Sequence, residues 1–231
     1  MATVLNDHAC KKLNHLFALE NQLLRVGEKL GAKLRSSPAT LRTHLTHASP
    51  DLVTKIEQNM TAVIDVLNHC LQNNIDPWDD REFFRLHMRS LAISFPDDFL
   101  DHVGEDELVE GYDLSRYQIF RNMRFMELTG YSLMQVLSFE WTELFDRATA
   151  ITEQMIGYCD ELLWVANKTI EFDISTHFIR ELKSPDKQVL EIQFRRLAPL
   201  FAGPNNPCGI VGSCHARPVY AEKGPDNLAF I

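Results

Sequence analysis

The chain has 231 residues, of which 45% are hydrophobic and 24% are charged, a composition typical of a folded protein with one large or two small cores. Its formal net charge of −9 makes nucleic acid an unlikely partner, because neutralising phosphates requires a basic stripe. No apolar run is long enough to cross a bilayer, no secretory signal is visible, and the five cysteines are scattered and odd in number. We therefore expect reduced thiols in a cytoplasmic protein without membrane contact.

Residues 1–104 predict a bundle of helices, because apolar side chains recur there close to the helical period. Ser37-Pro38 and Ser49-Pro50 each predict a helix start, with serine as the cap and proline at the first helical position. Asn73-Asn74 predicts the end of the helix that follows the second start, and Asp76-Pro77 predicts the start of another.

The histidines of this half do not form a recognisable metal-binding pattern. Seven of the nine histidines lie here, and His44 and His47 are close enough in sequence to share one helical face. No carboxylate or cysteine completes a ligand set beside them. We expect surface or partly buried histidines and predict no metal site.

The stretch from Tyr112 to Ser132 predicts an extended segment that leads into a short helix. Asn122 is expected to cap that helix, and Gly130 is expected to end it in the left-handed conformation. The stretch resembles the PAS domain family of sensor modules. In that family the run after the second strand typically has an asparagine, a phenylalanine a few residues later, and then Thr/Leu-Gly-Tyr-Ser. The matching residues here are Asn122, Phe125 and Leu128-Thr129-Gly130-Tyr131-Ser132.

The order of the remaining elements extends the resemblance to residues 106–220. Residues 147–168 predict a longer helix, and strands are predicted over 169–182, 188–197 and 208–217, where the hydrophobic period drops to two. A strand, short helices, a longer helix and three antiparallel strands follow one another in this way in PAS domains. The predicted fold class is α+β: a helical bundle (1–104), a PAS-like sensor or dimerisation domain (105–221) and a polar tail (222–231).

The resemblance implies a pocket between the helices and the sheet, which holds haem, flavin, a small acid or nothing in different members of the family. The candidate pocket residues are Phe125, Tyr131, Trp141, Met155, Cys159, Phe172, His177, Phe178, Ile192 and Phe194. Arg180 and Arg195 or Arg196 are candidates for pairing with an anionic ligand. The expected pocket holds a small molecule or is an apolar core without a ligand.

No cofactor is predicted, and haem and flavin are the two weaker alternatives. Haem ligation would fall to Met155, Cys159 or His177. A flavin photoadduct would need a cysteine where Met123 stands in Asn122-Met-Arg-Phe125.

The sequence does not predict an enzyme, and no catalytic residue is assigned. Cys214 and His215 are neighbours on a predicted strand, so their side chains are expected to point to opposite faces, and adjacency does not make a nucleophile and base. No phosphate-cradling glycine loop or His-Glu-x-x-His motif is found.

The expected function is that of a signalling or regulatory protein, which senses a small ligand or partner and passes the signal on by protein contacts. The alternatives are a ligand-free interaction scaffold and a transcription regulator that uses the helical half. Helices that precede a PAS-like module commonly extend a dimer interface. Leu16, Leu23 and Leu30 therefore predict an exposed seam for a homodimer.

Overall fold

The computed structural model describes residues 7–101, 103–104, 106–165, 168–172, 174–204 and 206–219. Its helices are α1 (Asp7–Lys29), α2 (Ala39–Thr46), α3 (Pro50–Asn73), α4 (Asp80–Ser90), α5 (Asp98–Asp101), α6 (Met123–Leu128), α7 (Leu133–Ser138), α8 (Trp141–Leu144) and α9 (Thr149–Val165). Its strands are β1 (Leu108–Asp113), β2 (Gln118–Arg121), β3 (Phe145–Asp146), β4 (Ile170–Glu171), β5 (His177–Glu181), β6 (Val189–Phe201) and β7 (Pro207–Pro218). The predicted α+β class is confirmed, with a helical half (residues 7–101) followed by a sheet half (residues 106–219) in which helices flank a curled antiparallel sheet. The predicted tail, 222–231, lies outside the described residues.

The predicted start and the predicted end of α3 are both confirmed. The Ser49 hydroxyl accepts a hydrogen bond from the backbone N–H of Leu52 at 3.1 Å, and Pro50 is the first helical residue. This bond satisfies one of the N–H groups that a helix start leaves without a partner. Asn74 ends the helix with a φ of 53°, the left-handed conformation that asparagine tolerates better than most residues.

The predicted cap at Ser37 is wrong. Helix α2 begins after Pro38 without a side-chain cap, because the Ser37 hydroxyl is bonded to Glu20 of α1 and lies 2.6 Å from the hydroxyl of Ser132. The predicted helix start at Asp76-Pro77 is also displaced. The cap of α4 is Asp79, whose carboxylate accepts a hydrogen bond from a backbone N–H at 3.2 Å.

Among the described residues the strands form one antiparallel sheet in the order β2-β1-β7-β6-β5-β3, and β4 also pairs with β6. Strand β5 begins at His177, and β7 covers the predicted segment 208–217. The strand predicted over 169–182 is divided into the two-residue β4 and β5, and residue 173 lies outside the described residues. Helix α9 is confirmed within the predicted range 147–168, of which residues 166–167 are not described.

A β-bulge in β6 decides which side chains share the inner face of the sheet. Ile192 and Phe194 lie two residues apart and point to the same face, as alternation requires. The pairing with β7 shifts between Phe194 and Arg196, so that the next inward residue is Leu197 rather than Arg196. The bulge therefore keeps an arginine out of the core and places a leucine there.

Gly130 does not have the predicted left-handed conformation, since the positive-φ glycines of the described residues are Gly31 and Gly203. Its lack of a side chain serves a close approach instead. A Cβ atom here would lie 2.0 Å from the hydroxyl oxygen of Ser184 and 2.7 Å from Oε2 of Glu181. The Gly130 N–H also donates to Glu181 Oε1 at 2.7 Å.

The exposed dimer seam predicted on α1 is wrong. Leu16 and Leu23 are 0% and 2% exposed and belong to the core, and Leu30 packs against its edge. Helix α1 turns this face towards α3 of its own chain, because the apolar stripes of the two helices cover each other. A homodimer remains a prediction without an assigned interface.

The buried apolar side chains of both halves form one continuous cluster. At the junction Phe84 of α4 contacts Phe120 of β2, with their ring centroids 4.9 Å apart. No helix in the described part of the chain is long and apolar enough to span a membrane.

Candidate functional site

A partly enclosed cavity of about 40 Å³ lies in the sheet half, between one face of the sheet and helices α8 and α9. Five aromatic side chains, one methionine and several aliphatic residues form most of its wall, and Glu110, Tyr112, Arg147 and Cys159 add polar atoms. The lining residues are Glu110, Tyr112, Phe125, Trp141, Phe145, Arg147, Met155, Cys159, Phe172, Ile179, Ile192, Phe194, Leu197, Ile210 and Gly212. The wall is therefore apolar with a few polar groups, as in most small-molecule sites.

The structure brings seven of the ten predicted pocket residues to this cavity: Phe125, Trp141, Met155, Cys159, Phe172, Ile192 and Phe194. Tyr131, His177 and Phe178 are not part of its wall. Phe178 alternates with the inward-facing His177 and Ile179 on β5, so it lies on the other face of the sheet. His177 stacks on Phe194 with ring centroids 5.8 Å apart, behind the cavity wall.

Tyr131 has a structural role beside the cavity. Its hydroxyl donates to the backbone oxygen of Leu144, where α8 ends, and accepts from the Lys183 N–H at 3.1 Å. Its ring meets Phe145 edge-on at 5.5 Å. Tyr131 thus connects α8 to the turn that follows β5. Phe145, rather than the predicted Tyr131, lines the cavity.

Three polar residues of the wall were missed at the sequence level: Glu110, Tyr112 and Arg147. Glu110 follows Leu108 and Val109 in β1. A carboxylate in such an apolar strand could have indicated a buried group with polar partners, since charged residues are almost never fully buried without a partner. Tyr112 was assigned to the strand only. Arg147, just before α9, carries no local signal, because its burial depends on the aromatic residues of distant segments.

Glu110 is the centre of a buried hydrogen-bond network. Its Oε2 accepts from the Tyr112 hydroxyl at 2.6 Å and from the Gln118 side-chain amide at 3.1 Å. The same amide donates to the Tyr112 oxygen at 3.1 Å. Burial raises the pKa of Glu110, and Arg121 and Arg147 oppose that rise by attracting the carboxylate.

Arg121 lies directly opposite Glu110 in the pairing of β1 with β2, and it is 1% exposed. Its Nη1 donates to the Thr129 hydroxyl at 2.9 Å, and its guanidinium lies 4.0 Å from the ring centroid of Phe125. Burial lowers the pKa of Arg121, whereas the nearby Glu110 and Glu181 raise it. Arg121 therefore has carboxylates on two sides.

Arg147 is placed differently. Its guanidinium lies 4.9 Å from the ring centroid of Trp141 and 5.5 Å from that of Phe194, within the range of cation–π attraction. Its Nε and Nη1 atoms are buried and have no hydrogen-bond partner among the described residues. Burial lowers the pKa of Arg147, and Glu110 is the largest opposing influence.

The arginines predicted to reach an anionic ligand do not line the cavity. Arg195 and Arg196 instead approach Glu107, with nitrogen–oxygen distances of 3.9 and 3.3 Å. Arg180 alternates with inward-facing residues on β5 and shares the face of Phe178. The arginine at the cavity is Arg147.

The thiols near the cavity are held in the neutral form. Burial raises the pKa of Cys159 to about 12 and raises that of Cys214 well above its ordinary value. Since the thiolate is the nucleophile and metal ligand, neither side chain is activated for such chemistry here. Among the described residues no cluster of three or more His, Cys, Asp or Glu side chains is arranged to hold a metal ion.

The volume of the cavity limits what it can hold in this conformation. The centres of water-sized molecules have about 40 Å³ of space in the cavity, which is room for a few waters or one small organic molecule. That space is much smaller than a haem or a flavin ring system.

No protein-family model matches this chain, and no curated protein matches its sequence.

Proposed function

We propose that this chain is a signalling or regulatory protein whose sheet half is a PAS-like domain that binds a small ligand. The observation that carries the proposal is the partly enclosed, largely aromatic cavity with polar groups on the inner face of the sheet. Burying charged side chains beside an apolar cavity is costly unless they are compensated. A ligand that uses these groups gives a reason for their presence.

The order of the elements supports the PAS-like assignment. Strands β1 and β2 are followed by three short helices, then by α9, and then by β5, β6 and β7 as an antiparallel series. Asn122 caps α6 as the motif implies, because its side-chain oxygen accepts from the Phe125 N–H at 3.1 Å. Phe125 itself is part of the cavity wall.

Helix α6 gives the proposed signal a route to the helical half. Phe125 faces the cavity, while Glu127 of the same helix accepts hydrogen bonds from the Lys33 N–H at 2.9 Å and from the Trp78 indole at 3.3 Å. A ligand that displaces Phe125 shifts α6 and changes these contacts. The output is then a population shift between two arrangements of the halves, read by a partner protein.

An interaction scaffold without a ligand is the second candidate function, and the small volume of the cavity favours it. In that case the aromatic wall is a loosely packed core, and the helical half contributes the binding surface. The overall negative charge gives a transcription regulator less support than a protein-binding scaffold.

Native mass spectrometry and the absorption spectrum of freshly purified protein separate the two functions. A stoichiometric mass excess that is lost on denaturation, or a chromophore band, is expected for the ligand-binding protein. A colourless chain at its bare mass, or at twice that mass, would instead favour the scaffold. The native mass spectrum also tests the predicted homodimer.

A further inference from the structure

Arg147 is the cavity residue whose hydrogen-bonding capacity is least used. A guanidinium has five N–H donors in a planar fork, and the buried Nε and Nη1 of Arg147 have no acceptor among the described residues. A buried donor without a partner loses its water without gaining a replacement, at a substantial cost in free energy. A carboxylate bridges either Nε and Nη2 or Nη1 and Nη2 of a guanidinium, so each of these bidentate modes uses one of the two unpaired nitrogens.

The charges around the cavity favour an anion over a cation. Glu110 attracts both Arg121 and Arg147, whereas Glu181 acts on Arg121. Two arginines therefore share the one carboxylate that lines the cavity.

The wall and volume restrict the ligand further. The rings of Trp141 and Phe194 lie near the Arg147 guanidinium, so a group bound to the guanidinium lies beside apolar surface. A carboxylate matches the guanidinium fork in a bidentate, planar way. A phosphate would leave more of its oxygens without donors in this apolar wall.

We propose that Arg147 binds the carboxylate of a small monocarboxylic acid, whose apolar body fills the aromatic cavity. The inference rests on the proposed ligand-binding function and specifies its ligand class. The available space suits a short-chain acid of about five non-hydrogen atoms.

The test compares three probes of similar size on the full chain: propionate, propionamide and propylammonium. Ligand-observed NMR titrations give a Kd for each. Propionate should bind at least tenfold more tightly than propionamide, because only the acid offers two anionic oxygens to Arg147. Propylammonium should bind more weakly than either.

Three variants assign the preference to Arg147. Arg147→Gln should remove the difference between acid and amide, and Arg147→Lys should retain part of it, because lysine keeps the charge without the planar fork. Arg217→Gln is the matched control. The Arg217 side chain is 75% exposed and bonds to Glu191 at 2.9 Å, so this variant should bind as the wild type does.

The outcomes separate the ligand class from the proposed function. Equal binding of acid and amide, or tighter binding of propylammonium, would overturn the assignment to a carboxylate and leave a small-ligand protein. If no probe binds, the test is the chemical class of any compound that denaturation releases from the purified protein. An acidic compound supports the assignment, a neutral one overturns the assignment alone, and the lack of any compound overturns both. The comparison of probes on the wild type stays decisive even if Arg147→Gln does not fold.

Discussion

The helical half and the sheet half bury different kinds of side chain. Among the described residues, four buried polar or charged side chains lie in the helical half and thirteen lie in the sheet half. The helical core is thus nearly all apolar, as expected when burial serves stability. The sheet half instead encloses a carboxylate and two arginines beside a cavity, although burying such groups is not by itself a source of stability.

The polar exceptions in the helical half show where the two regions meet. Glu20 is bonded to Ser37, whose hydroxyl reaches Ser132 of the sheet half. Asp80 pairs with Arg124 at 3.2 Å, and the ring of His87 bonds to the Ile119 backbone oxygen at 3.0 Å. The fourth, Asn59, bonds within α3. Three of the four buried polar side chains of the helical half therefore lie at its junction with the sheet half.

The largest expected effect tests whether the two regions are one cooperative unit. Phe84 is fully buried and contacts Phe95, Phe99 and Phe120. Phe84→Ala should lower the free energy of unfolding by about 3–5 kcal/mol, because it leaves a cavity in the shared core. Denaturant unfolding followed by circular dichroism measures this loss.

The control for Phe84 is Leu71→Ala, since Leu71 is 38% exposed in the same half, and it should change stability by less than about 1 kcal/mol. Wild type and both variants should unfold in one transition. Two separate transitions would show that the halves are independent and that the continuous core does not couple them.

The pH dependence of stability tests the junction at His87. Burial lowers the pKa of His87 from 6.5 to about 4, so between these values the unfolded chain binds a proton that the folded chain does not. Its contribution is present above pH 6.5 and is lost as the pH falls towards 4, by up to about 3 kcal/mol. Unfolding curves at a series of pH values should show this loss reduced in His87→Gln.

His47→Gln provides the comparison for this titration, because His47 is exposed. It should keep the pH dependence of the wild type, to which the carboxylates also contribute. An unchanged slope in His87→Gln would mean that His87 is not held neutral by the packing of the two halves.

The sheet half also contains a close backbone contact at Gly130 that leaves no room for a larger side chain. A methyl group at this position would collide with Ser184 and with Glu181. Gly130→Ala should therefore lower the free energy of unfolding by about 1–3 kcal/mol, through steric strain and disturbed hydrogen bonds. Thermal unfolding followed by circular dichroism is the measurement.

Gly157→Ala is the matched variant, because nothing lies within 4 Å of the added Cβ atom in α9. It should raise stability by about 0.5–1 kcal/mol, as expected for alanine in a helix interior. If both alanine variants changed stability in the same direction, the close approach at Gly130 would not be the reason for the glycine.

The smallest expected effect concerns a local contact in the helical half. Ser49→Ala removes the cap of α3 and should cost about 1 kcal/mol. Ser36→Ala at an exposed position should be close to neutral. The difference between their denaturation midpoints gives the value of the cap, and equal midpoints would show that α3 is held by packing alone.

The sequence predicted elements whose signals are local. The cap at Ser49, the end of α3 at Asn73-Asn74, helix α9 and the alternating Ile192 and Phe194 all follow from neighbouring residues, as does the capping role of Asn122. Seven of the ten predicted pocket residues line the cavity, because alternation in strands and periodicity in helices indicate which side chains face inward.

Only the tertiary structure decided the features that depend on distant partners. Ser37 does not cap α2 because Glu20 and Ser132 compete for its hydroxyl, and Leu16 and Leu23 are core residues because α3 covers them. The β6 bulge places Leu197 inside and Arg196 outside. Arg147 becomes a candidate anion-binding residue because folding places it at the cavity beside Trp141 and Phe194. Local periodicity cannot specify such contacts, because they join segments that are brought together only when the chain folds.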